Sequence, residues 1–154
     1  KIENCTIHVA NSILKKKKAD VILTPHPGEM ARLCGLTTAQ VQEDRIKTAS
    51  EFAVQYSVIV VLKGAQTIIA SPDGFVVVNP TGNPGMASGG MGDVLTGLAA
   101  GFCAQGFKTM DAAVASVYIH GLCADRLADR IGAFGYLASD LVKEIPLAVH
   151  QDLL

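Results

Sequence analysis

Val58-Ile59-Val60-Val61-Leu62-Lys63-Gly64-Ala65-Gln66-Thr67 decides the fold class of this 154-residue chain. Its first five residues are an unbroken apolar run, and β-branching at Val58 through Val61 suits a strand covered on both faces. Upstream, Val21 to Thr24 read as a second short buried strand. Between the two, Pro25-His26-Pro27-Gly28-Glu29 break the first strand and open a helix through Leu33, closed by Gly35. Pro27 suits the first helical position, which makes His26 the N-cap residue and Glu29 an acid of the first turn. Thr37-Thr38-Ala39-Gln40 match a capping box, and Ile46, Ala49, Ala53 and Tyr56 follow at helical spacing on a core-facing helix. Strand, helix, strand in this order predicts a parallel α/β sheet. His26 then stands at the carboxyl end of a strand, the edge where open α/β sheets bind ligands. A histidine there either faces a substrate or merely caps its helix.

Downstream the pattern changes. Thr67 to Ser71 and Phe75 to Asn79 flank Pro72-Asp73-Gly74, a turn that predicts an antiparallel hairpin. The second hairpin strand delivers the chain into Asn79-Pro80-Thr81-Gly82-Asn83-Pro84-Gly85-Met86-Ala87-Ser88-Gly89-Gly90-Met91-Gly92-Asp93, which holds five glycines, two prolines and one carboxylate. A helix follows, with Val94, Leu95, Leu98 and Phe102 on one face and Gly106 at its end. Glycines before a helix N-terminus leave backbone N–H groups open to an anion, so the stretch points to phosphate chemistry with Asp93 as its fixed acid or base. Neither a G-x-G-x-x-G nor a G-x-x-x-x-G-K-[ST] spacing is present, which excludes a dinucleotide fingerprint and a P-loop. The Lys63-Gly64 loop and the glycine loop are expected to line one cleft. Thr109 is expected to cap a helix from Met110 to about Arg130, in which His120 is structural, and Ser139 to cap a last short helix that stops near Pro146.

Composition narrows the partner. Thirteen Lys plus Arg against fourteen Asp plus Glu leave a net charge of -1, with no global field for nucleic acid or an anionic membrane. No segment is long and apolar enough to cross a membrane. Cys5, Cys34, Cys103 and Cys123 are scattered without a C-x-x-C pair or a histidine spaced to share a metal, so no metal site is assigned and the thiols are expected to be reduced, mostly buried and cytoplasmic. Lys15 to Lys18 read as a solvated helix end or loop.

Thr24-Pro25-His26-Pro27-Gly28-Glu29-Met30-Ala31-Arg32-Leu33, then Lys63-Gly64-Ala65-Gln66-Thr67, then Asn83 to Leu95 together resemble the ADP- or ATP-dependent NAD(P)H-hydrate dehydratases. The resemblance covers about Ala19 to Leu147. It implies a ribokinase-like fold, mostly parallel with an antiparallel hairpin, and a reaction in which hydrated NADH or NADPH (NADHX, NADPHX) loses water through phosphoryl transfer from ADP or ATP. It further implies Mg²⁺ as a helper ion, and Asp93 as the base that takes the proton of the ring hydroxyl. By the same resemblance, the N–H groups of Gly90, Met91 and Gly92 stabilise the transferred phosphoryl group, and His26, with Asp93, contacts the dinucleotide substrate. Lys63, Gly64, Ala65, Gln66 and Thr67, with Gly92, form the adenine nucleotide site.

Family domains are longer, and their Asp-Ala-Asp segment before the Thr-Pro-His strand has no counterpart here. The chain is thus expected to form one incomplete domain over residues 1–154, its C-terminal half, with 1–18 poorly matched and no role transferred to His8 or Asn11. A homo-oligomer, or association with the N-terminal half, is expected. Two alternatives stay open: a ribokinase-like kinase of sugars or vitamin precursors, and a noncatalytic nucleotide-binding module.

Overall fold

Ile22–Leu23 (β1) pairs parallel with Ile59–Leu62 (β2), in the register Ile22 to Ile59 and Leu23 to Val60. The computed structural model describes residues 12–153, so Cys5, His8 and Asn11 lie outside the described residues. The described chain divides into two compact units, one ending at Val78 and the other starting at Asn79.

In the first unit, the parallel step requires a crossover, and three helices supply it: Pro27–Cys34 (α1), Thr38–Glu43 (α2) and Arg45–Tyr56 (α3). The sequence pattern suggested one helix after the Thr37 capping box. Asp44 divides it, because its backbone leaves the helical region (φ -145°, ψ 84°) while its carboxylate accepts the Lys47 N–H at 2.9 Å and caps α3. The buried stripe of α3 is Ala49, Phe52, Ala53 and Tyr56, and Ile46, in the first turn, is 50% exposed instead of core-facing.

After β2, Ile68–Ala70 (β3) and Val76–Val78 (β4) return antiparallel, giving the order β1-β2-β3-β4. The α/β class holds, but among the described residues one pairing of three is parallel, so the sheet is mixed and not mostly parallel. The connections Lys63 to Thr67 and Ser71 to Phe75 are too short for a crossover and impose antiparallel reversal. In the second, Ser71 N–H donates to the Phe75 carbonyl at 2.9 Å and Gly74 takes φ 87°, the turn that Pro72-Asp73-Gly74 predicted. Val58, Val60, Leu62, Ile68 and Ala70 form a core with Met30, Val41, Ala49 and Phe52 from the three helices. Two lysines of the basic run reach Tyr56: Lys17 Nζ donates to its carbonyl at 3.1 Å, and Lys15 Nζ stands 6.0 Å from its ring centre.

The second unit is helical: a 3₁₀ turn at Pro84–Met86, then Met91–Ala104 (α4), Thr109–Ile131 (α5) and Ala138–Asp152 (α6). Ile119, Cys123, Ala124 and Leu127 of α5 pack with Met91, Phe102, Leu141 and Ala148. Lys108, and not Thr109, occupies the N-cap of α5. At α6 the cap is Leu137, whose N–H is taken by the Asp140 carboxylate at 3.0 Å, in place of Ser139. Nor does Pro146 end α6. Its lost N–H is outweighed by packing on both sides, Leu141 before it and Ala148 after it, and by the ion pairs Arg130–Glu144 and Arg126–Asp152 (2.6 Å) to α5.

No described helix is long and apolar enough to cross a membrane. The described cysteines are free, with Cys123 buried, Cys34 half-buried and Cys103 exposed, so burial of most thiols is not found. Burial pushes the Cys34 and Cys123 thiols up to about 11.

Candidate functional site

Parallel pairing puts the carboxyl ends of β1 and β2 at the same sheet edge. There the Lys63 N–H donates to the Pro25 carbonyl at 2.9 Å, so His26 and Lys63, distant in sequence, become neighbours. His26 caps α1 through Nδ1, which accepts the N–H groups of Gly28 at 3.1 Å and Glu29 at 3.2 Å. An Nδ1 that accepts carries no proton, which assigns the neutral tautomer with its proton on Nε2. Capping therefore does not compete with ligand contact: the cap consumes one nitrogen and aims the other, on a half-exposed ring, as a donor.

Glu29 completes this cluster. Its Oε2 accepts the His26 N–H at 2.7 Å and lies 3.6 Å from Lys63 Nζ, while Oε1 lies 3.5 Å from His26 Nε2. Partial burial pushes the carboxyl up, but the His26 backbone N–H and the charge of Lys63 outweigh it and hold it below the usual 4.5. Glu29 thus stabilises the folded state above its unfolded value, and that contribution is lost as pH falls through the lower folded value. Thermal melts should show Glu29→Gln less sensitive to acid below about pH 4.5 than the parent. The difference should be small, since the side chain is 42% exposed. Identical acid slopes would remove the proposed linkage.

The Lys63 to Thr67 connection leaves Gly64, Ala65 and Gln66 exposed at the same edge. Gln66 adopts φ 54°, and the Thr67 hydroxyl donates to the Gly64 carbonyl at 3.1 Å. Arg45, the first residue of α3, donates from Nη1 to the Ala65 carbonyl at 2.6 Å and from Nη2 to the Leu62 carbonyl at 3.1 Å. A Cβ on Gly64 would stand 2.8 Å from Arg45 Nη2, so glycine is what lets the guanidinium close over the loop.

Gly90 to Asp93 belong to the second unit. Gly90 is the N-cap of α4 at φ 85°, no side chain caps this helix, and Asp93 lies exposed in its first turn. The first N–H groups of α4 have no carbonyl four residues back to bind, which leaves an uncapped, positively polarised terminus beside an ionisable carboxylate. The loop leading to it is anchored from behind. Asp125 of α5 accepts the Gly82 N–H at 2.8 Å and Asn83 Nδ2 at 3.0 Å. Asn83 Oδ1 in turn accepts the Gly85 N–H at 3.0 Å and the hydroxyl of Tyr136, itself 2% exposed, at 2.6 Å. Burial raises the Tyr136 phenol from its ordinary value, against the opposing bond to Asn83.

Three of these supporting residues, Arg45, Asp125 and Tyr136, escaped the sequence reading, and Asn83 entered it only as part of a motif. Two carried a detectable signal. An arginine opening a helix, against the dipole, needs another reason to be there, and Gly121 with Asp125 at i+4 marks a helix stripe pressed by a loop. His120 is buried in α5, as a structural histidine is. No group of three metal-ligating side chains is found among the described residues.

Comparison with known proteins follows the same lines. The profile of NAD(P)H-hydrate dehydratase matches residues 5–147. The bifunctional NAD(P)H-hydrate repair enzyme Nnr of Moorella thermoacetica is 48% identical over 139 residues, which are 90% of this chain and 26% of that enzyme. The structure of the ADP/ATP-dependent NAD(P)H-hydrate dehydratase of Bacillus subtilis, from crystals grown with ATP and Mg²⁺ and soaked with CoA, superposes with a TM-score of 0.85 at 41% identity, covering 88% of this chain and 50% of that one. A ribokinase-like superfamily protein of Enterococcus faecalis gives 0.79 at 30% identity, over 96% of this chain and 50% of that one. The chain thus spans between about a quarter and a half of these relatives, and its fold is ribokinase-like.

Proposed function

Because the chain belongs to the NAD(P)H-hydrate dehydratase family, we propose that it carries the nucleotide-dependent dehydration of NADHX and NADPHX, a lyase reaction that restores the reduced nicotinamide. The observation that carries this reading is Asp93, exposed in the first turn of a helix whose glycine N-cap leaves its N–H groups open. Asp93 accepts the proton of the ring hydroxyl, and that oxygen forms a bond to the phosphorus while the bond from phosphorus to the rest of the nucleotide breaks. The N–H groups of Gly90, Met91 and Gly92 hold the charge that grows on the transferred phosphoryl oxygens. The C–O bond then breaks, phosphate leaves with the former hydroxyl oxygen, and the neighbouring ring carbon releases a proton to solvent as the ring C=C bond forms.

His26 contacts the dinucleotide substrate through Nε2–H, the nitrogen that its cap does not use. Lys63, Gly64, Ala65, Gln66 and Thr67 receive the adenine nucleotide, ADP or ATP. The described residues offer no protein cage for Mg²⁺. An ion arriving with the nucleotide would take its ligands from phosphate and water. Incubation of the full-length protein with NADHX, Mg²⁺ and either ADP or ATP should restore the absorbance of reduced nicotinamide. No recovery with either nucleotide would reject the proposal.

A further inference from the structure

Arg45 stands where elementary physics disfavours it. It opens α3, where the helix dipole is positive and an acid is preferred. Its side chain is partly buried, with Nε enclosed and without a hydrogen-bond partner among the described residues. That burial depresses the guanidinium from its ordinary value. A glutamine in solvent would avoid all three penalties. What Arg45 obtains instead is a two-pronged grip, Nη1 on the Ala65 carbonyl and Nη2 on the Leu62 carbonyl, spanning the end of β2 and the exposed loop. The planar fork of a guanidinium can hold two carbonyls at a fixed separation, and an ammonium cannot.

The grip also accounts for two features of the loop. Gly64 lacks the Cβ that would collide with Nη2, and Gln66 holds φ 54°, a conformation unusual outside glycine. Local rules broken together beside a ligand loop are the mark of a functional constraint.

We infer that Arg45 is a positioning residue: it preorganises the Lys63 to Thr67 loop for the adenine nucleotide without touching the nucleotide itself. The inference rests on the reading of that loop as the nucleotide site. A loop ordered in advance spares the ligand the entropy of ordering it, so removal of the clamp appears as weaker affinity.

Two measurements on the full-length protein test this. Hydrogen exchange at the amides of residues 64–67 reads the clamp with no ligand present, and calorimetric titration with ADP and with ATP reads its consequence. Arg45→Met should speed exchange in the loop, leave the rest of α3 protected, and weaken nucleotide binding by roughly tenfold, the equivalent of reordering about one residue. Arg45→Lys, which guards against misfolding of the apolar variant, should fall between the two by reaching one carbonyl. Unchanged exchange in Arg45→Met would overturn the clamp, and faster exchange with unchanged affinity would overturn its role in binding. Parent protein that binds neither nucleotide would instead reject the nucleotide reading of the loop, and the positioning role with it.

Discussion

Asp93→Asn is expected to reduce dehydration of NADHX by about 100- to 10,000-fold, the range that a positioned general base contributes. Asparagine keeps the size of the side chain but cannot take the hydroxyl proton. Asp93 lies exposed on the first turn of α4, and among the described residues the loop is held by Asp125, Asn83 and Tyr136 instead. The variant should therefore fold normally and keep most of its nucleotide affinity. Steady-state kinetics with paired calorimetry separates the outcomes: lost turnover with retained binding fits a base acting on the acceptor. Turnover equal to the parent would remove Asp93 from that role.

Gly121→Ala is expected to destabilise the protein. Glycine to alanine inside a helix ordinarily gains up to about 1 kcal/mol, because alanine has the lower backbone entropy to lose. Here the added Cβ would stand 2.2 Å from Thr81 Oγ1, 2.7 Å from the Thr81 carbonyl carbon and 2.8 Å from its Cβ. Overpacking of that kind typically costs about 1–3 kcal/mol and occasionally more, so the clash wins and the sign reverses. Thr81 also donates to the Tyr118 carbonyl at 3.0 Å, and the chain continues directly into the Asp125-bound Gly82 and Asn83. Relief of the clash must push this strand of loop off α5. Thermal denaturation should show a lower midpoint, and Thr81→Ala should rescue it only in part, since the backbone carbon remains too close. A midpoint above that of the parent would show that no such close approach exists.

These two positions mark the division between what could be read and what could not. The helix start that carries Asp93 was legible because its setting is local: glycines and a helix start are contiguous, and so are the strand runs, the α1 cap with Gly35, and the Pro72-Asp73-Gly74 turn. The misreadings were local signals overruled by packing. Pro146 is a helix breaker by rule, yet α6 runs through it because Leu141 and Ala148 are both buried. The helix read after the Thr37 capping box is divided at Asp44, because that side chain turns to cap the next helix.

By itself the sequence determined the elements and the chemistry each could offer: an uncapped helix start with an acid, a histidine at a strand end, a Lys-Gly loop, and the family to which they belong. Only the tertiary structure decided which groups support one another. Parallel pairing of β1 with β2 brings Glu29 within reach of Lys63, and a helix-opening arginine grips a loop 20 residues away. The packing of Gly121 against Thr81 likewise sets the glycine loop on α5. Local periodicity and capping depend on neighbours three or four residues apart and are written along the chain. Clamps and close approaches depend on distances that exist only after the chain has closed on itself.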